Sequence, residues 1–371
     1  MNTILLEKQN KMVLEKPVST TQYRDPTGLK HFLPGAPWPI LHKAELKPLR
    51  PEYRRICGRD YVFWKDNFDQ VHALPDKCPH WGASLSRGKI SVRRYDHLRG
   101  GDWSSPESED SYVVCPWHAV EFGINGSRWD KELGQEVRCE AMRPLELIET
   151  HGIIWTYAGF EPKIEIPYAF LDEVARHNFI LTNASLEAQC SIEDLLLINH
   201  DYNHQNGTHG DSLKITGVEN FTFAHDPEDP DHTVACFESP IAPISWREII
   251  QKPIRALVGK RIKAKLNNYF PGLVAFQPQH IPRNTVYQLH LHYPVDRGVS
   301  HTSLVFFATF SNPVFRLLAP WLLAAGGEMV IAEDAGMFSE RYYRDKPEKF
   351  KLPREQGARY VWRRFAEWPE E

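Results

Sequence analysis

Two short motifs, Cys78-Pro79-His80 and Cys115-Pro116-Trp117-His118, constrain this chain more than any other feature. Each sets a thiol and an imidazole one or two residues apart, and 34 residues lie between His80 and Cys115. The four side chains form a metal-binding set only in a fold that brings the two loops face to face. Pro79 and Pro116 fix φ directly after each cysteine, and Gly82 and Gly88 permit sharp turns. Iron–sulfur clusters usually take four thiolates; two histidines in place of two cysteines on one iron raise the potential, because imidazole is neutral. If each loop gives one ligand to each iron, a short spacing within a loop and a long gap between loops is what geometry demands. A structural Cys₂His₂ zinc site has the same ligand count, although the second loop lies among β segments and leads into no finger helix. Two unrelated cysteine–histidine pairs would require the pattern to arise twice by chance.

The segments around these loops read as short strands: Tyr61–Trp64, Val71–Leu74, Tyr112–Val114 and Gly152–Tyr157. After about residue 160 the texture changes. Residues Ser191 to Asn206 read as a helix, Val286–Tyr293 and Thr302–Phe310 as strands, and the chain from Val314 as helical again. The polar tail beyond Arg341 reads as a solvated helix. A chain of 371 residues accommodates two domains, so the division expected is an N-terminal segment 1–44, a small β domain 45–160 and a larger α+β domain 161–371.

Composition excludes some classes. A net charge of −4 with no basic stripe argues against nucleic acid as a partner. Glu7, Lys8 and Lys11 interrupt the run a secretory signal would need, so a cytoplasmic setting is expected, with Cys57, Cys139, Cys190 and Cys236 as core thiols. The most apolar late stretch, Val314 to Ala332, is broken by Arg316, Pro320, Gly326, Gly327 and Glu328, which makes it a poor membrane span and favours core packing.

A second constellation lies in the later half. On the expected helix, Asp201 and His204 are i,i+3 neighbours on one face, with Ser191 and Asp194 as a capping pair. His209 follows five residues on, where Gly207 could break the helix and turn it back. Two imidazoles and one carboxylate with open positions form the facial triad of O₂-activating Fe(II) enzymes. His200, i,i+4 from His204, is a rival ligand. His290 and His292 share one side of a strand; a satisfied pair is the default reading, with pocket lining or metal binding as alternatives.

The runs C-P-H-x-G-x-x-L-S-x-G-x-I at Cys78 to Ile90, C-P-W-H-x-x-x-F-x-x-x-G at Cys115 to Gly126 and H-G-I-I-W-x-Y-x-G at His151 to Gly159 resemble the Rieske domain of the Rieske non-heme iron oxygenases. The order Asp201-x₂-His204-x₄-His209 resembles the iron motif of the same family, and Ile331 to Met337 its late aspartate. The resemblance is to catalytic α subunits of the α-only type, such as vanillate demethylase, the chlorophyllide and pheophorbide oxygenases and aminopyrrolnitrin oxygenase. It implies an α+β protein in which an all-β Rieske [2Fe–2S] domain precedes a helix-grip-like catalytic domain, an antiparallel sheet flanked by helices. It implies a [2Fe–2S] cluster with Cys78 and Cys115 on one iron and His80 and His118 on the other. It also implies a mononuclear Fe(II) held by His204, His209 and Asp334, chosen over Glu333, with Asp201 as a bridge to the Rieske histidine of a neighbouring subunit. The activity implied is oxidation of an apolar or aromatic organic substrate by O₂, with electrons from a reductase or ferredoxin, in a homotrimer. A Rieske electron-transfer protein without oxygenase activity is the alternative. Two features depart from the family pattern: a long polar insertion, Arg93 to Ser111, read as a surface loop, and Ala119-Val120 where glycine and an aromatic usually follow the histidine.

Overall fold

The computed structural model describes residues 30–94, 109–209, 214–242, 261–279, 284–340 and 352–369. They divide into two compact units, one over Pro37–Lys163 and one that joins the residues before it to those from Ile164 onward.

The first unit is built of antiparallel strands. A three-stranded sheet orders β1 (Trp38–His42), β11 (Ile153–Thr156) and β10 (Ile148–Thr150). A second orders β2 (Glu52–Ile56), β3 (Arg59–Lys65) and β4 (Val71–Pro75). The third runs β5 (Lys89–Arg94), β6 (Glu109–Val114), β7 (Glu121–Gly123), β8 (Arg128–Asp130) and β9 (Gln135–Val137). The strands expected from alternation fall within β3, β4 and β6, and the expected Gly152–Tyr157 overruns β11 by one residue at each end. Val62, Trp64, Leu74, Leu85, Val113, Phe122 and Met142 form a core shared with Cys78 and Cys115. The buried Trp64 indole donates to Ser111 Oγ at 2.9 Å, which satisfies its one polar atom. The ends of the polar insertion are not loop. Arg93 pairs with Asp110 and Arg94 with Glu109, continuing the β5–β6 ladder; residues 95–108 lie outside those described.

The second unit is an eight-stranded antiparallel sheet with helices. Its path is β12 (Asn178–Ile180), β19 (Val299–Phe310), β18 (Asn284–Asp296), β17 (Leu273–Pro278), β16 (Arg261–Tyr269), β15 (His232–Pro240) and β14 (Glu219–His225), with β13 (Ser185–Ala188) also on β19. Helices α1 (Tyr168–Val174), α2 (Ile192–Asn199), α3 (His204–Gly207), α4 (Pro313–Glu340) and α5 (Gln356–Ala366) complete it. Helix α2 packs on β18, β19 and α5, and α4 packs on β13 and β19.

Three expectations need correction. The helix read over Ser191 to Asn206 stops at Asn199 and restarts at His204. Local side-chain bonds compete with it there: Asn199 Nδ2 donates to Leu195 O, His200 Nδ1 bonds Leu196 O, and Asp201 Oδ1 accepts from Asn203 N–H. A break therefore precedes His204, and the short helix that restarts there ends at Gly207, ahead of His209. Over its described residues, 352–369, the tail beyond Arg341 is not a solvated helix, because α5 buries Tyr360, Val361 and Phe365, and Trp368 follows them into the core. Finally, the stretch from Val314 is only half core. Ala319, Leu322, Ile331 and Ala335 are buried, whereas Val314, Leu317, Leu318 and Trp321 are exposed, Leu317 by 80%. Among the described residues no helix is long and apolar enough to cross a membrane.

Candidate metal centres

The two loops of the first unit are built alike. Cys78 N–H donates to Ala83 O (2.9 Å) and Gly82 N–H back to Cys78 O (2.8 Å). Likewise Cys115 N–H donates to Val120 O (2.8 Å) and Ala119 N–H to Cys115 O (3.1 Å). The fifth residue of each loop is left-handed, Gly82 at φ 76° and Ala119 at φ 52°. That explains why glycine suits the position: a side chain there costs about 1–2 kcal/mol. Next to the first loop, a Cβ on Gly88 would sit 1.9 Å from Val114 O, so the backbones of the two motifs approach through a glycine.

Both thiols point inward and are 2% exposed. Both imidazoles are exposed, with Nδ1 of His80 and His118 3.3 Å apart. Burial raises the pKa of the Cys78 thiol; the main-chain N–H of His80 opposes that rise and Cys115 adds to it. Two inward thiols and two outward imidazoles suit a binuclear iron–sulfur cluster, whose sulfur-ligated iron is the inner one. Trp81 and Trp117, 68% and 61% exposed, flank the histidines with ring centroids 6.1 Å apart; the sequence reading passed over both.

In the second unit α3 begins at His204, and His209 lies just beyond its end. Their ring centroids are 5.4 Å apart. Helix α4 brings Asp334 to them, so that one ligand atom each from His204, His209 and Asp334 lies within 4.8 Å of the others. The remaining nitrogens are held from outside, as metal-binding histidines require. His204 Nδ1 bonds the main-chain carbonyl of Asp201. His209 Nδ1 bonds Glu333 Oε2 at 2.8 Å. Glu333, weighed above as a rival ligand, thus sits on the far nitrogen of His209, while Asp334 Oδ1 lies 3.4 Å from Nε2. That buried oxygen has no hydrogen-bond partner. Burial pushes Asp334 up to about 6, with His209 pulling it down and Glu333 adding to the rise. Burial, then His209, lowers His204 to about 4, so its ring is neutral with a lone pair to give. Two converging imidazoles and an unpartnered carboxylate oxygen turned inward fit a divalent iron.

The C-terminal segment clamps this region. Asn203 Nδ2 donates to Pro353 O at 2.6 Å. A Cβ on Gly357 would meet His200 O at 2.4 Å and Tyr202 Cε2 at 2.8 Å, so α5 lies directly on the break that delivers His204. His200 is not among the converging ligands; its Nδ1 bonds Leu196 O. The Asp201 carboxylate accepts from Asn203 N–H at 3.0 Å. His290 is partly buried, and burial, then His209 and His204, lower it to about 3. The alternation of His290 and His292 was the sequence signal for this proximity.

A family model described as the Rieske [2Fe–2S] domain matches residues 36–139. The chain carries a Rieske [2Fe–2S] domain. Beyond that domain the likeness is one of fold. The crystal structure of dicamba monooxygenase bound to dicamba superposes with a TM-score of 0.64 at 16% identity, covering 91% of this chain and 97% of that one. NdmA of Pseudomonas putida CBB5 gives 0.60 at 15%, covering 92% of each. The Rieske domain followed by a sheet-and-helix unit is therefore the fold this chain shares with dicamba monooxygenase and NdmA. Among curated relatives, the vanillate O-demethylase oxygenase subunit of Pseudomonas sp. (strain HR199 / DSM 7063) is 28% identical over 111 residues, 30% of this chain and 26% of its own length. The oxygenase component of chloroacetanilide N-alkylformylase of Rhizorhabdus wittichii is 28% identical over 128 residues, 33% and 31% respectively. The alignments thus span about a quarter to a third of these relatives.

Proposed function

We propose that this chain is the oxygenase component of a Rieske system, oxidising an apolar or aromatic organic molecule with O₂ by hydroxylation, demethylation or desaturation. The observation that carries the reading is the convergence of His204, His209 and Asp334 in a chain that also has a Rieske domain. In this reading residues 45–160 are the cluster domain, with Cys78, His80, Cys115 and His118 as cluster ligands, and 161–371 the catalytic domain, with the triad holding Fe(II). When bound, the cluster supplies a one-electron relay and the iron a place where electrons, O₂ and substrate meet.

The protein's own contribution is positional. Glu333 and the Asp201 carbonyl fix the ring orientations of His209 and His204, which sets both lone pairs toward Asp334. Burial keeps His204 neutral and excludes bulk water. Exposure of His80 and His118 leaves one edge of the cluster open to a partner. The electron donor is a ferredoxin or a reductase, the working assembly a homotrimer in the cytoplasm, and the Asp201 carboxylate the link to the Rieske histidine of a neighbouring subunit. The names of the relatives point to methoxylated or N-substituted aromatics as first substrates to try.

The test is metal analysis with an absorption spectrum, followed by a substrate screen with a generic reductase read by mass shift. Three irons per chain and a red-brown, reducible protein are expected. His204→Ala should keep the colour, lose one iron and abolish oxidation. Oxidation surviving that change would sink the reading, and two irons per chain in the wild type would leave a simple electron carrier.

A further inference from the structure

Strand pairing lays one row of residues across the large sheet: Leu304 on β19, His290 on β18, Val274 on β17, Asn268 on β16 and Thr233 on β15. Cross-strand partners point to one face, and two segments rest on the ends of this row. Asn268 Nδ2 donates at 3.2 Å to the hydroxyl of Tyr202, which stands just before His204 in the chain. At the other end lies Gly327 of α4, where a Cβ would sit 3.3 Å from Phe306 Cε2 and 3.5 Å from Leu304 Cδ1. Asp334 follows about two helical turns later and so lies on the same side of α4. Beyond it Met337 Sδ accepts at 2.9 Å from Oγ1 of Thr208, the residue before His209. From Gly327 to Met337 α4 covers about 15 Å, and the strand spacings from β19 to β16 sum to about 14 Å. The helix that carries Asp334 therefore crosses over β18 and β17, above His290.

Under that crossing Leu304, Phe306, Val274, Phe276 and Leu266 surround one polar pair. Gln288 Nε2 donates to His290 Nε2 at 2.9 Å, which makes the imidazole neutral and puts its proton on Nδ1. Among the described residues nothing accepts that proton. Nor is the nitrogen sealed, as both nitrogens of the neighbouring His292 are. Gln288, His290 and Phe276 are partly exposed although β17 and β18 lie inside the sheet, while Leu304 and Val274 on either side of His290 are buried. Open space therefore lies over the pair. A polar pair in an apolar wall costs free energy unless something bonds to it. We propose that His290 anchors the substrate: its Nδ1–H donates to an oxygen of the molecule, while Phe276 and Phe306 hold the apolar body beside the triad. Among the described residues on this face of β15 to β19 there is no lysine or arginine; Arg261, Lys263 and Lys265 alternate onto the other face. Nothing on the sheet would then offset the desolvation of an anion, so the ligand class is an apolar or aromatic molecule with a neutral carbonyl oxygen. Gln288 is a positioning residue, fixing the tautomer that gives His290 its donor. Calling the ligand a substrate rests on the oxygenase reading; the anchor itself does not.

The experiment measures, by calorimetry, binding of acetophenone, ethylbenzene and benzoate to the iron-loaded full chain in wild type, His290→Phe, His290→Asn and Gln288→Met. The probes share a ring and differ in its oxygen: a neutral carbonyl, none, and an anion. Wild type should bind acetophenone about tenfold more tightly than ethylbenzene, the worth of one hydrogen bond in a closed site, and benzoate more weakly than acetophenone. With cluster absorption and iron content unchanged, His290→Phe should abolish the preference for acetophenone. His290→Asn, whose amide nitrogen falls near the place of Nδ1, should restore most of it, and Gln288→Met should shrink it. Acetophenone bound no better than ethylbenzene by wild type overturns the anchor, as does a preference that survives in His290→Phe. Benzoate bound as tightly as acetophenone overturns the neutral-carbonyl class. A wild type that shows the preference but takes up only two irons per chain and oxidises nothing defeats the oxygenase reading and leaves the anchor standing.

Discussion

The two candidate metal centres solve the same problem by opposite means. The cluster loops are local: each is a few residues closed by its own backbone, and two copies of one turn present all four candidate ligands. The triad is assembled at long range, from a short helix near residue 204 and a long one that reaches it 130 residues later. Their surroundings differ accordingly. His80 and His118 face solvent, as suits groups that exchange electrons with a partner, whereas His209 is 4% exposed and gripped by Glu333. A local site is robust to changes elsewhere in the fold; an assembled one depends on every element that sets its parts.

Gly357→Val should break that contrast most sharply. Its side chain would collide with His200 O and Tyr202, pushing α5 off the break before His204. Overpacking of this kind costs about 1–3 kcal/mol, and the variant should lose its mononuclear iron while its cluster absorption stays intact. Loss of both together would mean the centres are not independent.

Acid should act on both units. Burial holds His42 in the first and His200 in the second at about 4, so both are neutral in the folded chain through pH 5. In the unfolded chain each takes a proton below about 6.5. The unfolded state then binds more protons, so stability held above pH 6.5 is lost as pH falls toward 4. For the fully buried His200 the loss is ~3 kcal/mol. Denaturant midpoints between pH 7 and 4.5 measure it, and His200→Gln should flatten the curve.

Glu333→Gln should weaken iron binding at the triad by about ten- to a hundredfold, the usual effect of losing a carboxylate behind a ligand histidine. Competition with a chelator reads this directly; the cluster spectrum should not move. An unchanged affinity would mean that Glu333 does not orient His209. The smallest effect is expected in the local site. Ala119→Gly relieves a left-handed alanine at the cost of a freer unfolded chain, for a net gain of about 0.5 kcal/mol. A loss of stability there would show that the loop is not held by its own turn.

The same contrast explains what the sequence could reveal. The cluster loops were legible because motif and geometry are the same thing: Cys78, His80, Cys115 and His118 converge through bonds within each motif and one strand pairing between them. The strands around them were legible by alternation. The helix expected through His204 was not, because apolar spacing carries no mark of Asn199, His200 and Asp201 turning their side chains onto the backbone. The part of Glu333 was out of reach, since adjacent carboxylates on a helix differ only in what they meet. The tail was misread because its many charges hid the spacing of Tyr360, Val361, Phe365 and Trp368, which a helical projection would have found.

The β5–β6 ladder has a practical side. Its inner end, Lys89 opposite Val114, abuts both cluster loops, and its outer end is Arg94 opposite Glu109. Six residue pairs at about 3.4 Å each put the outer end roughly 17–20 Å from the cluster loops. A reporter dye, affinity handle or small folded module spliced between Arg94 and Glu109 would ride on a stiff ribbon, clear of the cluster loops. The outer end of this ladder is the place to label or tether this protein while its redox centre keeps working.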